Sequence, residues 1–255
     1  MAEDDRGLTD DAFLGGRLNI LQPKAGFRAG VDSVFLAAAV PARPGQKVFE
    51  AGTGPGVAAL CLAARVKGLS ITGMEAHAPY ARLAQANAAR NRLAEALRVI
   101  HGDVRRALKA PPVVEPGSFD HAFANPPYFE AGSVLPPQGA EKQAAHVFAP
   151  EDLDAWLRVM AALLRHRGTL TVIYPARHLQ RLLSAFAGRL GGLRIMPLYP
   201  APGAAARRVI VQGAKGSRAP LTLLPGLVLH ESDGGFTPAA EAVLRHGAAF
   251  PLEES

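Results

Sequence analysis

The sequence contains one cysteine, Cys61, in 255 residues. A disulfide within the chain is therefore excluded, and the thiol lacks the clustered partners that a structural zinc or iron–sulfur site requires. The first residues are acidic, whereas a secretory signal begins with basic residues and then an apolar run. Uncharged stretches such as 51–64 and 195–206 are shorter than the roughly 18 apolar residues of a spanning helix. We expect a soluble, cytoplasmic protein that needs neither a metal nor a membrane.

Positive charge is concentrated in one part of the chain. Hydrophobic residues make up 49% and charged residues 20%, which is typical of globular domains and unlike disordered chains. The net charge is +6, yet residues 151–220 contain 11 Arg and Lys against three Asp and Glu. Such an arginine-rich surface suits a polyanion such as nucleic acid. The residues predicted to contact the polyanion are Arg207, Arg208, Lys215 and Arg218.

Short apolar segments alternate with helical patterns along most of the chain. Residues 1–17 are charged and show no sustained period, which predicts a mobile tail. No Ser/Gly-rich linker divides residues 18–255, which are predicted to form one domain with extra strands near the C-terminus. A helix over 31–40 is expected to begin at Asp32 or Ser33 as its N-cap. The alternation predicts an α/β fold with a doubly wound parallel sheet and a ligand crevice at the carboxyl ends of the strands. The predicted strands are 47–50, 69–74, 97–101, 118–124 and 168–174, and the predicted helices include 57–66 and 78–92.

Three acidic residues are predicted to lie at the carboxyl ends of the first three strands of this sheet. Glu50 ends the first strand and is followed by Gly52, Thr53, Gly54, Pro55 and Gly56, a turn whose glycines allow close approach of the backbone to a ligand. Glu75 ends the second strand, where an acid in this architecture accepts hydrogen bonds from a ribose diol. Asp103 follows the third strand. The ordered set predicts a nucleoside-binding rim.

A rigid turn follows the fourth strand. The residues Asn125, Pro126, Pro127 and Tyr128 come directly after the apolar segment 118–124, and the two prolines exclude a helix there. This turn fixes the Asn125 amide at the ligand-binding edge, and Tyr128 presents an aromatic face. The segment resembles the Asn-Pro-Pro-Tyr signature of S-adenosylmethionine-dependent methyltransferases that act on planar amino or amide nitrogens.

The resemblance covers about residues 18–215 and implies a Rossmann-like class I methyltransferase fold. That fold has a mostly parallel seven-stranded sheet with an antiparallel strand near the C-terminus. The implied cofactor is S-adenosyl-L-methionine. Its implied ligands are Glu50, Gly52, Thr53, Gly54, Gly56, Glu75, Asp103 and Asn125, and the implied catalytic residues are Asn125, Pro126 and Tyr128. Asn125 and a carbonyl at Pro126 would accept the two N–H groups of the target amine, and Tyr128 would stack on the target base.

The turn alone leaves several substrates open, because it occurs in methyltransferases for adenine in DNA or RNA and for a glutamine of translation release factors. Release-factor enzymes carry a sizeable helical N-terminal domain, whereas only about 45 residues precede Lys47 here. DNA enzymes usually include a separate target-recognition domain, for which the chain has no room. Three flanking segments, 22–32, 207–216 and 229–237, look like those of bacterial tRNA adenine-N6 methyltransferases that modify valine tRNA.

In those enzymes the target is the adenosine at position 37, next to the anticodon, so the implied partner is the anticodon stem-loop of a tRNA. This sequence departs from the family at Pro55 and at Glu50, where Asp is common. Both departures concern donor affinity more than reaction type. Two alternatives remain: a release-factor glutamine methyltransferase and a catalytically idle RNA-binding module.

Overall fold

The computed structural model describes residues 7–127, 150–250 and 252. Its first element is a hairpin in which β1 (Leu8–Phe13) pairs antiparallel with β2 (Leu18–Pro23). The prediction of a tail over 1–17 is wrong for this strand; residues 1–6 lie outside the described residues. The charges that suggested a tail are paired, since Asp10 binds Arg90 and Asp11 binds Arg28.

Strands and helices then alternate as the sequence predicts. The remaining strands are β3 (Lys47–Ala51), β4 (Ser70–Glu75), β5 (Leu97–His101), β6 (Phe119–Ala124), β7 (Leu164–Pro175), β8 (Leu190–Tyr199), β9 (Arg208–Lys215), β10 (Thr222–Leu223) and β11 (Leu227–Val228). The helices are α1 (Val31–Ala39), α2 (Val57–Arg65), α3 (Ala78–Arg90), α4 (Pro150–Leu163), α5 (Leu179–Phe186) and α6 (Pro238–Leu244). Single 3-10 turns cover Val104–Arg106 and Ala176–His178.

The central sheet has the strand order β10-β8-β9-β7-β6-β3-β4-β5, and β11 also pairs with β8. Its seven long strands are parallel except β9, which runs antiparallel to both β7 and β8. This arrangement confirms the predicted class I methyltransferase fold, to which the two short strands β10 and β11 are added. The chain places β4 and β5 on one side of β3 and then returns to form β6 and β7 on the other. The topological switch point therefore lies between the neighbouring strands β3 and β6, and such sheets bind ligands in the crevice outside the carboxyl ends of these strands.

Apolar layers cover both faces of the sheet. One layer includes Ile20 of the hairpin, Phe35 of α1 and Leu60 of α2, and the other includes Leu157 of α4 and Phe186 of α5; all five are fully buried. In α4, Leu153, Trp156, Leu157 and Met160 follow helical spacing and are buried against the sheet. Among the described residues, no helix is long and apolar enough to cross a membrane.

The start of α1 differs from the prediction. Gly30 is its N-cap, and no side chain caps the helix. Asp32 lies instead in the first turn, where its carboxylate accepts a hydrogen bond from Arg208 Nε at 2.8 Å. A long-range ion pair thus replaces the local capping bond, and α1 is tied to β9.

Candidate active site

The carboxyl ends of the central strands lie level with one another. Ala51 of β3 is aligned with Met74 of β4 on one side and with Ala124 of β6 on the other. Gly52, Glu75 and Asn125 follow these residues directly, so the glycine turn, an acid and the amide meet at one edge of the sheet. The structure therefore brings together three segments that are up to 73 positions apart in the sequence.

The glycine turn needs the conformational freedom of its glycines. Gly52, Gly54 and Gly56 have φ angles of +70°, +54° and +91°, in the left-handed region that other residues avoid. A Cβ atom at Gly52 would lie 2.7 Å from Trp156 Cη2, and one at Gly54 would lie 3.1 Å from Phe27 Cε1. The turn leads into α2, whose N-cap is Gly56. It forms a tight backbone surface at a helix N-terminus, which suits an anionic group of a ligand.

Glu50 is the most unusual side chain of the site. It is 4% exposed, and its Oε2 atom has no hydrogen-bond partner among the described residues. The hydroxyl oxygen of Thr53 is buried and unpartnered in the same way. Burial raises the pKa of Glu50 well above its usual value, the neighbouring Thr53 hydroxyl offsets part of this rise, and the nearby Glu75 carboxylate adds to it. A buried carboxylate with an open oxygen is costly in the free protein and suits a cationic ligand group.

The carboxylate of Glu75, in contrast, accepts hydrogen bonds from two backbone N–H groups. Its Oε2 atom accepts from the Gly54 N–H at 2.9 Å, and its Oε1 atom accepts from the His77 N–H at 2.8 Å. These bonds hold the glycine turn against the end of β4. The half-buried carboxylate retains lone pairs for a ligand hydroxyl group.

Asp103 is held by an arginine that the sequence interpretation did not single out. The Arg105 side chain donates to it from Nε, at 3.0 Å to both Oδ1 and Oδ2, and from Nη2 to Oδ2 at 2.7 Å, and the Arg105 backbone N–H donates to Oδ1 at 2.9 Å. Arg105 Nη1 also donates to Asp152 Oδ1 of α4 at 2.7 Å. Partial burial alone would raise the pKa of Asp103, but the hydrogen bonds from Arg105 outweigh this and hold it below its usual value. The acid therefore stays charged, and its network ties α4 to the rim.

Asn125 lies across the switch point from the glycine turn. Its side chain is half-buried and makes no hydrogen bond within the described part of the chain. Pro126 behind it is buried, which fixes the turn. The oxygen and the nitrogen of the Asn125 amide are therefore available to accept and donate hydrogen bonds to a ligand at the carboxyl edge of the sheet. Tyr128, the third predicted catalytic residue, lies outside the described residues.

The N-terminal hairpin and its following loop contribute to the site, which the sequence interpretation missed. The buried amide of Asn87 donates to both Leu21 O and Pro55 O at 2.9 Å, and thereby joins the hairpin to the glycine turn. Phe27 is 52% exposed although large and apolar, and its backbone N–H and C=O both bond the Tyr80 hydroxyl. Its ring lies beside Gly54. The exposed side chain of Phe27 thus forms a wall next to the turn.

The four predicted polyanion contacts do not form one surface. Arg207 and Arg208 lie at the start of β9, at the edge that carries Asn125. Lys215 and Arg218 lie at and beyond the other end of this eight-residue strand, about 23 Å away at 3.3 Å per residue. Lys215 Nζ donates to the carbonyls of Ala162 and Leu164, so it caps the end of α4. Only the first pair is placed near the site.

The sequence relatives agree with this geometry. Residues 28–151 match the family described as the methyltransferase small domain. A tRNA1(Val) (adenine(37)-N6)-methyltransferase from Tolumonas auensis is 30% identical over 174 residues, which are 68% of this chain and 70% of that protein. An enzyme of the same name from Porphyromonas gingivalis is 27% identical over 89% of this chain and 91% of its own length.

Solved structures share the architecture. A predicted O-methyltransferase from Agrobacterium tumefaciens superimposes with a TM-score of 0.72 at 25% identity, covering 86% of this chain and 98% of that one. A tRNA (m1A58) methyltransferase from Aquifex aeolicus gives a TM-score of 0.53 at 19% identity over 77% of this chain and 72% of its own, a likeness of fold alone. The sequence matches extend over most of the chain and include both sides of the switch point. The chain therefore belongs to the tRNA1(Val) (adenine(37)-N6)-methyltransferase family.

Proposed function

We propose that the protein transfers a methyl group from S-adenosyl-L-methionine to the exocyclic N6 atom of an adenosine in tRNA. The observation that carries this proposal is the Asn125 amide, which is unoccupied, fixed by Pro126 and placed beside the glycine turn at the switch point. The names of the family relatives favour adenosine 37 of valine tRNA as the target, and hence the anticodon stem-loop as the partner.

The residues at the glycine turn fit the proposed donor. Gly52, Gly54 and Gly56 leave room for a ligand to touch the backbone, and the N-terminus of α2 suits the carboxylate of a methionine part. The open oxygen of Glu50 suits its cationic groups. Thr53 adds a second unpartnered polar atom. When bound, S-adenosyl-L-methionine supplies a methyl carbon that is already electrophilic, so the protein must align and desolvate the reactants.

The rim acids and the Asn-Pro-Pro-Tyr turn divide the remaining tasks. Glu75 would accept from the ribose hydroxyls of the donor, and Asp103 would line the nucleoside part of the site. Asn125 would accept one N–H of the adenine amino group, and the Pro126 carbonyl would accept the other. Because these acceptors favour a tetrahedral nitrogen, they stabilise the transition state more than the ground state. Tyr128 would stack on the base after it leaves the RNA stack, as enzymes acting on bases require.

Nucleoside mass spectrometry tests the proposal directly. Unmodified valine tRNA is incubated with the protein and the donor, digested to nucleosides and examined for N6-methyladenosine. An Asn125→Ala variant is the matched control and should form far less product. A peptide from a translation release factor, which contains a glutamine, serves as the competing substrate. The relatives do not favour this peptide or an idle module, and methylation of the peptide alone, or of neither substrate, would contradict the proposal.

A further inference from the structure

A second concave site lies at the same edge of the sheet as Asn125. It has a volume of about 590 Å³ and opens beside the ends of β7 and β8 and the start of β9. Three arginines, Arg177, Arg207 and Arg208, line it together with Asp32 and His230. We call this space the basic cleft.

The charges of the basic cleft are only partly neutralised. Arg208 is paired with Asp32, so this guanidinium is held within the fold. Arg207 is exposed, and its side chain has no hydrogen bond or ion pair with any described residue. Arg177 is also exposed, and its Nε donates to His178 at 3.2 Å. Because Asp32 offsets the charge of Arg208 and no described residue offsets that of Arg207, the cleft presents an excess of positive charge, which suits an anionic ligand.

One wall of the basic cleft is rigid. His230 Nδ1 donates to the Pro200 carbonyl at 2.9 Å, and the ring stacks on Phe236 with centroids 4.7 Å apart. Arg208 is fixed in turn by its bond to Asp32 at 2.8 Å. The surface that carries Arg207 and Arg177 is thus preformed, so ligand binding has to order only their exposed side chains.

The position of the cleft relative to Asn125 points to the nature of the ligand. Asn125 follows Ala124, which is aligned with Val172 of β7, whereas Arg208 is aligned with Pro175, three residues beyond Val172. Arg208 therefore lies two strands to the side of Asn125, about 10 Å, and about two residues farther out, roughly 7 Å. A base extruded towards Asn125 leaves its own backbone outside the pocket, so a site beside and beyond Asn125 is suited to a phosphate of that backbone.

We propose that the basic cleft binds a backbone phosphate of the RNA strand next to the target adenosine, with Arg207 and Arg177 as the phosphate ligands. The proposal rests on the proposed function and extends it, because it assigns the contact with the RNA backbone to the basic cleft. Guanidinium groups bind phosphate through paired N–H donors and without regard to sequence. The cleft accordingly positions the RNA, while the site at Asn125 selects the base.

The test measures binding of a valine anticodon stem-loop at several salt concentrations, by fluorescence anisotropy with S-adenosylhomocysteine present. Log affinity falls as log salt rises, and Arg207→Gln and Arg177→Gln should each make this negative slope shallower by about 0.7–0.9, the value for one lost phosphate contact. Arg207→Lys should keep the slope, since it keeps the charge. Arg43→Gln is the matched control: Arg43 is exposed and precedes β3, at the opposite edge of the sheet, so this variant should bind like the parent.

Steady-state methylation provides a second readout. A phosphate contact made equally in the ground and transition states should raise KM for RNA and leave kcat nearly unchanged. Unchanged salt slopes in both glutamine variants, together with normal methylation of tRNA by the parent protein, would overturn the basic cleft alone. Failure of the parent protein to bind or methylate RNA would overturn the cleft and the proposed function together.

Discussion

Replacing Glu50 with glutamine should stabilise the ligand-free protein at neutral pH and weaken donor binding. The carboxylate is 4% exposed with an unpartnered oxygen, so the folded state bears a desolvation cost that the unfolded state avoids. Burying an unsatisfied charged group costs at least about 1–3 kcal/mol. Part of this cost should return as stability in Glu50→Gln, and each kcal/mol would raise Tm by about 2–4 °C in a domain of this size.

The pH dependence identifies the cause. Because the pKa of Glu50 is raised in the folded state, the folded protein binds the proton more tightly than the unfolded chain. Wild-type stability should therefore fall as pH rises from the unfolded pKa, about 4.3, through the higher folded value. Glu50→Gln lacks this titration, so its advantage should be absent at low pH and largest at pH 8. Urea unfolding of both proteins from pH 4.5 to 8 measures the difference.

Glu75 supplies the matched control at the same rim. Its carboxylate accepts two backbone N–H bonds, so Glu75→Gln should lose about 1 kcal/mol where Glu50→Gln gains stability. Titration calorimetry with S-adenosylhomocysteine should show about 10- to 100-fold weaker binding by Glu50→Gln, the equivalent of about 1.5–3 kcal/mol for a lost charge-assisted contact. The reasoning is refuted if Glu50→Gln is no more stable than the parent at pH 8, or binds the product equally well.

Three further changes test separate parts of the site and the fold. Asn125→Ala should lower kcat by roughly 10²–10³, the effect of losing one preorganised contact to a transition state, with little change in donor affinity by calorimetry; wild-type turnover would contradict the role. Gly54→Val should abolish donor binding in the same calorimetric titration while circular dichroism shows an intact fold, because a side chain would occupy the φ +54° turn beside Phe27. Burial lowers the pKa of His121 to about 4, so stability present above pH 6.5 should be lost by up to roughly 3 kcal/mol as pH falls to 4. His121→Gln should be less sensitive to acid in urea unfolding, and an equal loss in both proteins would exclude this residue as the cause.

The sequence predicts those parts of the fold whose signals are local. Strands β3 to β6 are short apolar segments bounded by glycine or proline, and α4 has apolar residues at helical spacing, so period and punctuation suffice. β1 is different: two of its six residues are aspartates, and their partners Arg28 and Arg90 lie far along the chain. Pairing with β2 and these ion pairs, and not the residue pattern of the segment itself, make it a strand.

The candidate site follows the same division. The order of Glu50, Glu75 and Asp103 along the chain places them at one rim, since parallel strands end at one edge. Arg105 could be found only with the fold known, because its second partner, Asp152, is 47 residues away. The separation of Arg208 from Lys215 depends on β9 being a strand of eight residues, which the charges themselves do not reveal.

The switch point between β3 and β6 separates two kinds of recognition along the sheet. The carboxyl ends of β3, β4 and β5 carry the glycine turn and the rim acids, which form the donor half of the site. The ends of β6 and β7 and the start of β9 carry Asn125 and the basic cleft, which form the acceptor half. The antiparallel direction of β9 matters here, because β9 begins at the catalytic edge where β8 ends, so that the short β8–β9 connection lies beside the acceptor half. That connection, residues 200–207, can therefore change in length or sequence without crossing the donor half. Grafting it between family members would therefore change the proposed contact with the RNA backbone and leave the methyl-transfer core unchanged.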